Sequence, residues 1–279
     1  MAGEFDPDRS TAPGVLERGE MTATEDELLQ VALDAARAGA AELVGRFGHR
    51  QRQVRSKSSP TDLVSEADLS AESAIRAVLG ARRPEDAILG EEGGATGDGA
   101  LRWVIDPLDG TTNFLFGVPQ WAVSVACEDA QGSLVGVVLD PSHNECFAAT
   151  RNGPATLNDA PIEAGEPDNL ATALVATGFG YESDVRARQA AVLQRVLPRV
   201  RDIRRAGSAA LDLAWCACGR LDLYWERGVK AWDIAAGTLL CERTGLVVSR
   251  LEESEDGPAG ILVGPSGLLG ELRGLVLDG

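Results

Sequence analysis

The order in which hydrophobic periodicity changes along this chain constrains its fold more than any other feature. Leu28, Leu29, Val31, Ala32, Ala35, Ala36, Leu43, Val44 and Phe47 recur at helical spacing, with Thr24 and Glu27 placed as a capping box. A second helix is expected from about Ser65 to Leu79, closing near Gly80 and Pro84. Short apolar strands follow at 87–89 and 103–105. Three further runs, at 121–128, 133–139 and 145–149, are joined by short turns and read as an antiparallel meander. After them the elements alternate, with strands near 174–177, 221–225, 246–248 and 261–263 and helices near 184–196, 208–218 and 233–244. A meander joined to alternating elements predicts a layered α/β (α+β) sandwich with room for two sheets.

The 279 residues are 44% apolar, enough for a large core in one domain or two closely packed halves. A net charge of −17 opposes direct contact with nucleic-acid phosphates or anionic lipid. The five cysteines form no CxxC pair and read as reduced thiols, which places the expected location in the cytoplasm. Residues 1–23 read as a disordered leader, and no apolar run approaches the roughly 18 residues of a membrane span.

The chemistry gathers where strands end. The run at 87–89 leads into Gly90, Glu91 and Glu92, and the run at 103–105 leads into Asp106, Pro107, Leu108, Asp109, Gly110, Thr111, Thr112 and Asn113. Strand ends are where layered α/β folds open a ligand crevice. An Asp-Pro turn alone is commonplace. The eight-residue block is more specific, because Gly110 permits close backbone approach while Thr111 and Thr112 offer hydroxyls and amides.

This block resembles the signature of the inositol monophosphatase family. The likeness extends to Gly90–Glu92 upstream and to the stretch Trp232, Asp233, Ile234, Ala235, Ala236, Gly237 downstream. It also takes in Lys57–Val64 and Arg205–Ala210, and spans roughly residues 24–273. It implies the layered αβαβα sandwich of the inositol monophosphatase and fructose-1,6-bisphosphatase type, formed by one domain over 24–279, in a homodimer.

Carried over position by position, the resemblance makes Glu91, Asp106, Asp109 and Asp233, with the Leu108 carbonyl, ligands of two to three Mg²⁺ ions. Four carboxylates about 4 Å apart would repel by roughly 4 kcal/mol per pair even at an effective dielectric of 20, so cations are required. All-oxygen ligation favours Mg²⁺ over Zn²⁺. The implied reaction is in-line attack of activated water on a small-molecule phosphate ester. Thr111, paired with Asp62 or Asp68, would orient that water, with Glu91 and Glu92 assisting. Gly110 and Thr111 would grip the phosphate, while Gly207, Ser208, Ala209 and Glu226 would meet the substrate. Lithium inhibition is a further implication.

Rival chemistries lack material. Only His49 and His143 are present, and neither lies in a motif; no Walker-type loop occurs. The glycine-rich stretch Gly93, Gly94, Gly97, Gly99 is expected to be a mobile surface loop. The expected substrate is an inositol monophosphate, with histidinol phosphate, fructose 1,6-bisphosphate and 3′-phosphoadenosine 5′-phosphate as alternatives. A non-catalytic partner role in a transcription complex is the reading from another class.

Overall fold

The computed structural model describes residues 23–49, 55–56, 63–254 and 257–277. The readings at residues 1–22, at Lys57 and at Asp62 lie outside the described residues.

The first helix, α1 (Glu25–Val44), begins where the sequence asks. The Thr24 hydroxyl accepts the Glu27 N–H at 3.2 Å and the Glu27 carboxylate accepts the Thr24 N–H at 2.9 Å. Two short strands, β1 (Arg55–Ser56) and β2 (Leu63–Val64), pair antiparallel before α2 (Glu66–Arg82). A second capping box opens α2, in which the Asp68 carboxylate accepts the Ser65 N–H at 2.8 Å. The helix runs past Gly80 to Arg82. An exposed glycine costs about 1 kcal/mol, which propagation tolerates, whereas Pro84 bars the residue before it from helical geometry.

The larger sheet comprises β3 (Ala87–Gly90), β4 (Gly94–Thr96), β5 (Arg102–Asp109), β6 (Ala122–Asp129), β7 (Gly132–Asp140), β8 (Glu145–Thr150), β9 (Thr156–Leu157) and β10 (Ala160–Pro161). Its order is β10-β9-β8-β7-β6-β5-β3-β4, with β3 and β5 parallel and every other pair antiparallel. The glycine-rich stretch expected to be a loop instead supplies β4, because Gly94 at φ 64° closes a three-residue turn that folds it back on β3. Along β5, Trp103 and Ile105 enter one core and Val104 the opposite one. Both faces of this strand are therefore covered, which is why its residues are apolar without alternation.

A short helix, α3 (Thr111–Phe116), follows β5. The smaller sheet holds β11 (Leu174–Thr177), β12 (Asp202–Arg204), β13 (Leu223–Arg227), β14 (Val247–Leu251) and β15 (Gly260–Gly264), in the order β12-β11-β13-β15-β14. The remaining helices are α4 (Ser183–Val196), α5 (Ala209–Ala217), α6 (Ala231–Arg243) and α7 (Ser266–Leu277).

Five layers result. The pair α1 and α2 covers the outer face of the larger sheet, α5 and α6 lie between the sheets, and α4 and α7 cover the smaller sheet. Three apolar cores fill the gaps. One centres on Ile75, Trp103 and Val125, one on Val104, Phe147, Leu213 and Tyr224, and one on Val175, Trp225 and Leu262. The αβαβα sandwich that the resemblance implied is the observed architecture. No described helix is long and apolar enough to cross a membrane.

Candidate active site

The pivotal local event lies at the end of β5. Its ladder with β6 runs regularly to Asp106, paired with Ser124, then shifts register before Asp109, paired with Ala122. Pro107 has no N–H to donate, so the strand bulges there, and bulges re-aim side chains beside functional sites. The strand thus carries both aspartates, rather than ending before them as the apolar pattern suggested. The Leu108 N–H turns back to donate to Asp106 Oδ1 at 3.0 Å.

Three chain segments deliver four carboxylates to this place. Glu91 comes from the turn between β3 and β4, Asp106 and Asp109 from β5, and Asp233 from the first turn of α6. Burial, then the charges of Glu91, Asp109 and Asp233, push the Asp106 carboxyl well above the usual carboxylate range, and Glu91 and Asp106 are hydrogen-bonded. Burial raises Asp109 to about 6 against the pull of the Ser208 hydroxyl and the Ala210 and Ala209 amides. Burial, then the Asp109 charge, pushes Asp233 well up, although the Lys230 N–H donates to its Oδ2 at 2.6 Å.

Among the described residues, no three acidic, histidine or cysteine side chains already stand around one point as a finished ligand set. The reason is visible in the bonding. Asp109 Oδ2 accepts Ser208 Oγ at 2.6 Å and Ala210 N at 2.7 Å, and Asp233 Oδ2 accepts the Lys230 N–H at 2.6 Å, so both are engaged by protein donors. The donor set nevertheless suits a hard divalent cation, being oxygen throughout and carrying a charge that only cations or protons can balance. Glu91, Asp106, Asp109 and Asp233, with the Leu108 carbonyl, are the groups that would hold it.

Next to this cluster, Thr111 Oγ1 donates to Asp68 Oδ1 and to the Leu108 carbonyl, each at 3.0 Å. Asp68 is fully buried and also accepts the Ser65 N–H and hydroxyl, so one carboxylate caps α2 and fixes Thr111. Gly110, at φ 95°, lies so close to the Gln120 carbonyl that a Cβ would sit 2.8 Å from it. Glu92 stands beside Glu91, its N–H accepted by Glu72.

On the opposite wall, the Tyr224 hydroxyl donates to Glu226 Oε2 at 2.7 Å. Burial raises Glu226 to about 7, against the pull of Tyr224 and the Arg205 guanidinium. Ser208 and Ala209 are buried, and the Ser208 hydroxyl is engaged with Asp109; Gly207 adopts φ 96° beside Arg205 and Asn113. Asn113 Nδ2 bridges the Gln120 and Ala206 carbonyls at 2.7 and 2.9 Å, tying the β5 segment to the 205–208 loop.

Sequence reasoning missed three buried groups here: Glu72, Tyr224 and Asp212. Asp212 Oδ1 has no protein hydrogen-bond partner among the described residues, and burial, then Glu226 and Asp109, push its carboxyl well above the usual range. Tyr224 was readable from period-2 spacing, since it shares a strand face with Glu226. Nothing local marked Glu72 or Asp212.

Comparison with known proteins agrees with this geometry. The model of the inositol monophosphatase family matches residues 24–275. The inositol-1-monophosphatase of Mycobacterium bovis is 40% identical over 259 residues, covering 88% of this chain and 89% of that protein. The Nus factor SuhB of Pseudomonas aeruginosa is 41% identical over 237 residues, covering 82% and 87%. The crystal structure of the extragenic suppressor protein suhB from Bartonella henselae superposes with a TM-score of 0.81 at 35% identity, covering 90% of this chain and 99% of that one. With the family model spanning residues 24–275 and relatives about 40% identical over most of both chains, the chain belongs to the inositol monophosphatase family.

Proposed function

We propose that this chain is a cytoplasmic, Mg²⁺-dependent phosphomonoesterase that hydrolyses an inositol monophosphate to inositol and phosphate. The observation that carries the reading is the convergence of Glu91, Asp106, Asp109 and Asp233 from three segments into one acidic cluster. A protein that only docked partners would gain nothing from such a cluster, which costs stability whenever it is ionised and unneutralised.

Bound Mg²⁺ would neutralise the phosphate, polarise its oxygens and make water a competent nucleophile near neutral pH. The protein's own groups do the rest. Asp68, fixed by Ser65, holds the Thr111 hydroxyl at 3.0 Å, so Thr111 Oγ1 can accept the proton of attacking water as its own proton passes to Asp68. Asp62 is the alternative partner on the family pattern, and Glu92 would assist from the other side. The amides of Gly110 and Thr111 would receive phosphate oxygens. Glu226, held through one oxygen by Tyr224, keeps the other for substrate hydroxyls. The ammonium of histidinol phosphate would suit the same group, and Arg205 or Lys230 would take a second phosphate. By the same family likeness the enzyme is a homodimer inhibited by Li⁺.

A second reading, a partner role in a transcription complex, is favoured by one observation, the 41% identity to a protein named Nus factor SuhB. The readings separate by measuring phosphate release with Mg²⁺ and with chelator. Suitable substrates are inositol 1-phosphate, histidinol phosphate, fructose 1,6-bisphosphate and 3′-phosphoadenosine 5′-phosphate. Mg²⁺-dependent release, highest on inositol 1-phosphate, is expected; no release from any of the four would move the partner role to the front.

A further inference from the structure

One buried charged group near the site takes no part in the chemistry above. Glu72, on α2, is 3% exposed, yet it lies outside every motif that marks the site. Its Oε2 accepts the Glu92 N–H at 2.8 Å, and its Oε1 accepts the Gly93 N–H at 2.8 Å and Arg76 Nε at 2.7 Å. Arg76 in turn donates to the Gly94 carbonyl at 2.7 Å and to Thr96 Oγ1 at 3.1 Å, so the pair clamps both the turn and β4. The residue before Glu92 is Glu91, whose own N–H is held by the Ile105 carbonyl at 3.3 Å. The backbone of Glu91 is therefore fixed on one side by the sheet and on the other by Glu72.

The local sequence is shaped to admit this carboxylate. A Cβ at Gly90 or at Gly93 would sit 2.6 Å from Glu72 Oε1, closer than nonbonded atoms come, so glycine at both positions lets the carboxylate reach the turn amides. Burying a carboxylate is costly unless it is paired and hydrogen-bonded, and this one has an arginine and two amides. Such an arrangement fixes a turn with more force than a hairpin loop of three residues has by itself.

We infer that Glu72 is a positioning residue. It holds the turn so that the Glu91 carboxylate meets Asp106, and its main effect is on divalent-cation affinity rather than on the fold. The inference rests on the phosphatase reading, because it takes Glu91 to be a ligand. Groups that orient the ligands of a metal site typically govern its affinity by 10- to 100-fold.

The test is Mg²⁺ binding by isothermal calorimetry on the full chain, for the native protein and for Glu72→Gln, Gly93→Ala and Ile75→Val. In Glu72→Gln an amide nitrogen must face one of the donors that the carboxylate oxygens accept. Gly93→Ala pushes on the same contact from the other side without removing the charge, and serves if Glu72→Gln does not fold. Ile75→Val trims a fully buried side chain of the same helix, controlling for lost stability. Glu72→Gln and Gly93→Ala are expected to weaken Mg²⁺ binding at least tenfold while Ile75→Val leaves it within twofold. Native-like affinity in both turn variants, or equal weakening in Ile75→Val, would overturn the inference and leave the phosphatase reading standing. A native protein that binds no Mg²⁺ would instead overturn that reading, and the inference with it.

Discussion

Replacing Gly110 by alanine perturbs the site at the point where backbone and chemistry are least separable. Gly110 adopts φ 95° and ψ 32°, and an added Cβ would sit 2.8 Å from the Gln120 carbonyl oxygen and 3.2 Å from Trp121 Cα. Left-handed backbone costs an L-residue about 1–2 kcal/mol. Overlap with backbone, which cannot rotate away, adds about 1–3 kcal/mol. The expected loss of roughly 2–5 kcal/mol corresponds to a fall in melting temperature of about 3–9 °C for a chain of this size. The strain also reaches the site, because the Gln120 carbonyl accepts Asn113 Nδ2, which holds the 205–208 loop through Ala206. A misplacement of about 1 Å there is expected to lower kcat/KM by about 100-fold. Thermal unfolding followed by circular dichroism, with and without Mg²⁺, reads the first effect, and phosphate release reads the second. Gly45→Ala is the control, since Gly45 has φ −69° and nothing within 4 Å of the added carbon. A Gly110→Ala protein melting within 2 °C of the native one, at native turnover, would show that position 110 needs neither the left-handed backbone nor the space a Cβ would fill.

Other outcomes follow from the same geometry. Thr111→Val removes the hydroxyl that bridges Asp68 and the Leu108 carbonyl; kcat should fall at least 100-fold with Mg²⁺ affinity largely kept, as single-turnover kinetics and calorimetry can show. Tyr224→Phe removes the donor to Glu226; KM should rise several-fold with kcat near native, and stability should fall by about 1 kcal/mol in urea titration. In chelator, Asp109 holds a proton up to about pH 6 when folded but only to its ordinary range when unfolded, so its folded state binds more protons between these limits. The stability from that proton is present below pH 4 and lost as pH rises to 6, so Asp109→Asn should flatten the decline of melting temperature across this window. An unchanged slope would contradict the burial argument.

The parts of this protein that were legible in its sequence are those set by near neighbours. The capping box of Thr24 with Glu27 fixes a helix start within four residues, and α1 begins where Thr24 requires; the Ser65 start of α2 was also read, though its own box with Asp68 was seen only in the structure. The β6–β8 meander was readable because its turns are short. Helix α7 went unread, since Gly267, Gly270 and Gly274 dilute the pattern of Leu269, Leu272 and Val276 that packs it on the smaller sheet. Strand β12 is an exposed three-residue edge that exists only by pairing with β11, a contact 28 residues away for Ile203 and Val175. The four carboxylates were found from their motifs. Most of their supports were not, because Glu72 reaches its partners 20 and 21 residues on, and Asp212 meets the site only once α5 packs into the middle core.

If the acidic cluster binds Mg²⁺ for phosphate-ester hydrolysis, metal affinity and turnover depend on the same buried carboxylate. Asp106→Asn keeps size and removes the charge at the fully buried centre of the cluster. Mg²⁺ binding by calorimetry and release of phosphate from inositol 1-phosphate should fall together, each by at least 100-fold, in a protein that still folds. Retention of native turnover in that variant would show that the cluster is not the catalytic metal site.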